Sequence, residues 1–256
     1  MFGMDGSNNL MKMREIFEGE QFRHGLKGIL GVAAFDSVYR ALLPVQQRIL
    51  KELCGDNFTS LMEGGSVISI AYAYPEYAID VIATEKGDGF DKEAWNIYAR
   101  EYHRLNDALD ATTARLAGET EGIAIPATVT GIAGEVRHVE DYYGMAISHR
   151  VAAEQAGIGW RGKNELIVNP QYSCAIRLAS VVTSLPLKLA ATSEGGCGSC
   201  RACLDACSFL RFKDTLDNYR EQCRRYIVAL DLDSEVCGKC IKACYRDSIH
   251  RDRFRL

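Results

Sequence analysis

Apolar and polar positions along this chain follow two periods, and the switches between them mark out the elements. Residues 36 to 54 (DSVYRALLPVQQRILKELC) carry helical spacing, with Pro44 either bending the helix or splitting it in two, because proline lacks an N–H and clashes with the preceding turn. Ser66 to Tyr74 (SVISIAYAY) is a continuous run of β-branched, aromatic and small residues stopped by Pro75, which predicts a buried strand. From Asp91 to Ala117, the residues Ala94, Ile97, Tyr98, Tyr102, Leu105, Leu109 and Leu116 fall close to a period of about 3.6. This predicts a long amphipathic helix with Gly118 as its C-cap. A further helix is predicted from about Met145 to Ala156, ended by Gly157. After a glycine loop come two apolar segments, ELIVNP and IRLASVVTSLP, read as strands.

Helices and strands alternate to about residue 186, which predicts an α/β-type N-terminal domain over residues 1–186. Residues 187 to 196 (LKLAATSEGG) read as a linker opening a second region, 187–256. That region has too few apolar residues to fold alone, so a bound group is expected to hold it together.

Its cysteines say which group. Eight of the chain's 10 cysteines stand there, as Cys197-x2-Cys200-x2-Cys203-x3-Cys207, then Cys223, then Cys237-x2-Cys240-x3-Cys244. The first run has the spacing in which three thiolates hold one [4Fe–4S] cluster and the fourth reaches across to another. The crossed pattern assigns Cys197, Cys200, Cys203 and Cys244 to one cluster, and Cys207, Cys223, Cys237 and Cys240 to the other. A zinc ribbon leaves the third cysteine of the first run unused. A disulfide framework belongs to short secreted chains, whereas this one has 256 residues and opens with no apolar signal segment. Proline commonly follows the last cysteine of such runs; here Ser208 and Tyr245 stand there. Cys54 and Cys174 lie outside the pattern and are expected to be buried apolar thiols.

Composition sets limits on function. A hydrophobic content of 47% with no membrane-length apolar run predicts a cytoplasmic globular protein with no membrane partner. A net charge of -4 gives no overall attraction to nucleic acid. The basic residues near the end (His250, Arg251, Arg253, Arg255) and beside Cys223 (Arg224, Arg225) are expected to offset anionic clusters or to lie in solvent.

Gly157-Ile-Gly159-Trp160-Arg161-Gly162 spells the dinucleotide fingerprint G-x-G-x-x-G, but the predicted order, helix before and strand after, is the reverse of what that site requires. The glycines still predict a tight turn that a ligand can approach closely, with Trp160 offering a flat face and Lys163 a charge.

The stretch from His149 to Asn164 (HRVAAEQAGIGWRGKN), followed by the double cysteine run, resembles the epoxyqueuosine reductase family, whose loop reads A-G-[LI]-G-W-x-G-K-[NH]. SVISIAYAYP looks like that family's first core strand. Tyr98 to His103 (YAREYH) looks like a second family segment, with Glu101 where aspartate is usual. The resemblance implies an α+β protein: an α/β-type N-terminal catalytic domain related to the reductive dehalogenases, followed by a ferredoxin-like two-cluster module. It also implies cobalamin, bound by Gly157, Gly159, Trp160, Gly162, Lys163 and Asn164 with Tyr98, Glu101 and His103 near the rim. Electrons would come from a low-potential donor such as ferredoxin or flavodoxin. At the position of the family's proton-donating aspartate stands Tyr143, so Asp141, Tyr143 and His149 are the candidate proton handlers. With that aspartate replaced, the family's C-terminal extension lacking and the acidic balance noted above, a small molecule is expected as substrate in preference to tRNA. The other class of reading is a ferredoxin-like electron carrier that docks on a partner enzyme. The roughly 190 residues before the cysteines favour an enzyme.

Overall fold

The computed structural model of the protein describes residues 6–83, 91–128 and 147–256. At its centre is a four-stranded sheet in the order β1 (Gly28–Ala34), β2 (Ser66–Ala73), β6 (Ile176–Thr183), β3 (Ile123–Ile125). All three pairings are antiparallel, β2 running against β6 from Ser66↔Thr183 to Ala73↔Ile176. The α/β-type expectation is thereby corrected. Alternating helices and strands suggested parallel crossovers, but each neighbouring pair runs antiparallel, and the architecture is α+β.

Every residue of β2 is buried, because helices cover both faces of the sheet. On one face Ile68, Ile70 and Tyr72 pack with α1 (Gly6–His24) and α6 (Lys92–Thr120) through Met13, Phe17, Leu105 and Leu109. On the other, Val67 joins α2 (Phe35–Ala41), α3 (Pro44–Cys54), α4 (Phe58–Gly64) and α7 (His149–Gln155) through Phe35, Leu50, Leu61 and Ala152. Pro44 splits the predicted helix, standing at the first turn of α3 where its missing N–H costs nothing. The Asp91 side chain caps α6 by accepting from the Ala94 N–H at 2.9 Å. The helix runs past Gly118 and is closed by Glu121 in the left-handed region (φ 47°). The segment ELIVNP forms only the short β5 (Ile167–Val168), paired with β4 (Trp160–Arg161) in a separate ribbon.

The linker crosses the first region in extended form: Lys188 N–H donates to Gly6 O and Ala190 N–H to Val32 O. Beyond it the chain builds α8 (Ala202–Asp205), α9 (Ser208–Arg211), α10 (Tyr219–Leu230) and α11 (Lys239–Asp247). Val236, Tyr245 and Phe254 enter the same core as α6, so the second region shares its hydrophobic support with the first. Trp95 Nε1 donates to Cys237 O at 2.9 Å, and Arg246 forks onto Asp80 of α5 (Glu76–Asp80). Among the described residues no helix is long and apolar enough to cross a membrane.

Candidate metal centre

Three short helices place the cysteines. Cys203 sits in α8, Cys223 in α10, and α11 carries both Cys240 and Cys244, one turn apart on the same face. Tyr245, where proline was usual, lies inside α11. Proline there would break the helix that carries two of the thiols, whereas Tyr245 is buried and stacks on Phe254.

A cavity opens between α8, α11 and the turn after α7. Its lining includes Cys197, Cys200, Cys203 and Cys244, together with Lys163, Asn164, Ser248 and His250. Three neighbouring thiols of the first run are thus joined by the last cysteine of the second. The other four also gather: Cys223 feels the charges of Cys237 and Cys207, and Cys240 those of Cys237, Cys223 and Cys207. Among the described residues no three His, Cys, Asp or Glu side chains converge closely enough to chelate a single ion. The thiols border a space; they do not surround a point.

The electrostatics follow from burial. Desolvation, followed by the charges of Cys244, Cys197 and Cys200, pushes the Cys203 thiol up to about 11. Desolvation likewise raises Cys223 to about 12 and Cys237 to about 11. Such thiols ionise at neutral pH only when a cation replaces the proton. Burial also opposes ionisation of Cys200, yet the Ala202 and Ile249 N–H groups and the Ser248 hydroxyl bring it below the ordinary thiol range. His250 Nε2 is buried with no hydrogen-bond partner among the described residues, and its ring belongs to the cavity lining. Four thiols around a space, N–H groups aimed at sulfur and an unsatisfied ring nitrogen fit an anionic sulfur-rich group.

The glycine turn supports this cavity. Lys163 Nζ donates to Gly198 O at 2.7 Å and Cys200 O at 2.8 Å, holding the first C-x2-C loop. Asn164 Nδ2 donates to Cys174 Sγ at 3.2 Å, and Cys174 in turn hydrogen-bonds Cys244, whose pKa this contact lowers to about 7. Cys54 is the buried apolar thiol expected, pushed to about 11 by desolvation. Cys174 is equally buried but touches a cluster-set cysteine, a role that nothing in its sequence neighbourhood signalled.

The other nominated residues are dispersed. The space beside the glycines is filled by the chain itself: an added Cβ would lie 2.2 Å from Ala191 O at Gly157, 2.3 Å from Val168 O at Gly159 and 2.7 Å from Val168 Cγ2 at Gly162. At these three positions the missing side chain lets the chain pack closely on itself. Trp160 meets His250 edge-on. Tyr98 is buried against Tyr74 and Gly238. Glu101 accepts from Tyr77 and Arg104, and His103 pairs with Ser234. Of the nine residues nominated for cobalamin, only Lys163 and Asn164 line the cysteine cavity.

Asp141 and Tyr143 lie outside the described residues. His149, at the start of α7, is buried: Nε2 donates to Pro126 O at 2.9 Å, leaving Nδ1 to accept from Ser180 Oγ at 2.9 Å. Both nitrogens are engaged, and desolvation lowers its pKa to about 4 from the ordinary 6.5. Above pH 6.5 the ring is neutral whether the chain is folded or not. Between 6.5 and 4 only the unfolded chain takes up the proton, so the stability His149 contributes is lost as pH falls. Urea titrations of wild type and His149→Gln over this window are expected to differ in pH slope by about 1.4 kcal/mol per unit. Equal slopes would mean that the ring is not buried in the neutral form.

No protein-family profile matches the chain. Over 216 residues, 75% of this chain, it is 28% identical to the epoxyqueuosine reductase of Listeria monocytogenes, covering 51% of that protein. Over 151 residues it is 33% identical to the epoxyqueuosine reductase of Bacillus subtilis, covering 57% of this chain and 35% of the relative. The chain thus spans about a third to a half of the length of these curated relatives. Its fold is similar to the solved epoxyqueuosine reductase of Streptococcus thermophilus, with a TM-score of 0.52 and 20% identity over 95% of this chain and 67% of that one.

Proposed function

We propose, from the likeness to epoxyqueuosine reductases and the two cysteine sets, that this chain is an iron–sulfur reductase holding two [4Fe–4S] clusters. One cluster takes Cys197, Cys200, Cys203 and Cys244, and the other Cys207, Cys223, Cys237 and Cys240. The observation that carries the proposal is the crossed grouping, in which Cys244 of the second run shares a cavity with three cysteines of the first.

When bound, the clusters supply one-electron transfer between an external donor, such as ferredoxin or flavodoxin, and the reducible substrate. The chain's own residues set the conditions for it. Lys163 fixes the loop that carries Cys197 and Cys200, and the Ala202 and Ile249 N–H groups stabilise charge on the Cys200 sulfur. Burial keeps water from Cys203, and His250 Nε2 offers a hydrogen bond to sulfur on the cavity side. The core shared by both regions supports an enzyme over a free-standing carrier, since a carrier has no need of the sheet and α6.

Epoxyqueuosine is the substrate for which the relatives are named. For this chain we propose a small organic acceptor, protonated by Asp141 or Tyr143. The test is to mix pre-reduced, reconstituted protein with epoxyqueuosine nucleoside or with epoxyqueuosine-bearing tRNA and to follow cluster reoxidation and product, with and without cob(II)alamin. Reoxidation by the nucleoside, absent in Cys203→Ala, is the expected result. Efficient conversion of the tRNA would overturn the small-molecule assignment. A cob(II)alamin spectrum unchanged by the protein would remove the corrinoid.

A further inference from the structure

Among the described residues, one cation on the central sheet has no anion beside it. Arg177 stands on β6, in register with Tyr72 of β2, and points to the α6 face of the sheet among apolar neighbours. It is only partly exposed. Nε donates to Asn106 Oδ1 at 3.0 Å, Nη2 donates to Thr128 O at 2.6 Å, and the guanidinium lies over the Tyr102 ring, 4.3 Å from its centroid. Among the described residues it has no carboxylate partner. The acids on the same stretch of α6 do not meet it: Glu101 is engaged by Tyr77 and Arg104, Asp110 by the Ala127 N–H at 2.7 Å, and Asp107 is exposed.

A charge drawn this far from water is costly unless an opposite charge meets it, and cation–π contact offsets only part of the cost. Two further groups beside it lack partners. Asn106 is fully buried, and its Nδ2 has no acceptor among the described residues. The Tyr74 hydroxyl, also buried, meets only the Tyr98 hydroxyl, from which it accepts, so its own O–H has no acceptor among the described residues. Among the described residues Arg177 Nη1 likewise has no acceptor, and it is not one of the buried unpartnered nitrogens. The free donors are therefore a guanidinium edge, a carboxamide N–H and a phenol, all with the same need.

We propose that Arg177, Asn106 and Tyr74, braced by Tyr102, form a binding site for the carboxylate or phosphate group of a small ligand. A carboxylate, or two oxygens of a phosphate, can accept from the guanidinium edge, the geometry in which arginine binds such groups most strongly, and would also give the carboxamide donor an acceptor. The site is separate from the cysteine cavity and does not depend on the reductase reading. Its test therefore needs no turnover.

The probes are acetate and inorganic phosphate, titrated into the full, cluster-reconstituted chain against chloride at matched ionic strength, with thermal stability and calorimetry as readouts. Saturable stabilisation by at least one probe is expected in wild type, and the better probe identifies the oxyanion. Arg177→Gln should weaken this binding by about tenfold or more. Should that variant not fold, Asn106→Asp serves instead: its carboxylate pairs with Arg177 Nε internally, keeps the fold and abolishes the response to either anion. No saturable response in wild type, or an undiminished one in Arg177→Gln or Asn106→Asp, overturns the proposal.

Discussion

Anaerobically reconstituted protein is expected to hold about eight iron atoms per chain, and Cys203→Ala and Cys207→Ala are each expected to lower the count to about four. The two losses should differ in kind. Cys203 lines the cavity with Cys197, Cys200 and Cys244, while the charge of Cys207 acts on Cys223, Cys237 and Cys240, so the surviving cluster is not the same one. Paramagnetic resonance of the reduced proteins should show two distinct residual spectra. The iron is also expected to stabilise the fold, because desolvation holds the Cys203, Cys223 and Cys237 thiols protonated without it, and a chelator should preferentially loosen residues 197–247. A wild-type count near four, or a stable zinc protein, would sink the two-cluster assignment.

Replacing Gly157 by valine should destabilise the protein by about 3 kcal/mol or more, lowering Tm by roughly 10 °C. Two effects add. Gly157 has φ +70°, a conformation strained for any β-branched residue, and a Cβ there would stand 2.2 Å from the Ala191 carbonyl oxygen. The obstacle is backbone, so it cannot rotate away; the linker itself must move. That linker leads directly into the first cysteine loop, and iron loading is expected to fall with stability. Calorimetric melts of the wild-type and Gly157→Val proteins decide the matter: a shift under about 2 °C would place the linker elsewhere.

How far the sequence could be read depended on how much each element relies on its own residues. β2 and α6 were legible because each has an unbroken apolar pattern of its own, and the Pro44 break was legible because its cause is covalent. α1 was not. Of its 19 residues only Met13 and Phe17 are buried large apolar side chains, too few to set a period. β1 drew no prediction, since Gly28 and Gly31 interrupt its apolar run; in the fold an added Cβ at Gly31 would lie 2.1 Å from Ala156 O, so the glycine admits the end of α7 onto the sheet. Within the candidate site, spacing alone suggested that Cys244 belongs beside Cys197, Cys200 and Cys203, and these four do line one cavity. The contact of Cys174 with Cys244 was not, since it joins segments 70 residues apart in number and depends on how α11 lies against the chain before β6. In the glycine turn the structure adds what the motif did not signal: its glycines allow close packing of the chain on itself, and its polar residues, Lys163 and Asn164, reach the cysteine loops.

Cys240 and Cys244, assigned to different sets, share the single helix α11. A helix fixes both the rise and the rotation between such residues, about 1.5 Å and about 100° per step. The separation of the two sets is therefore written into the residue count between two cysteines and is independent of the longer loops elsewhere in the region. Lengthening the segment between Cys207 and Cys223 would leave that spacing intact, but a single insertion between Cys240 and Cys244 would swing one thiol about a quarter of a turn off its set. The four-residue interval acts as a gauge, and it should tolerate substitution far better than any change of length.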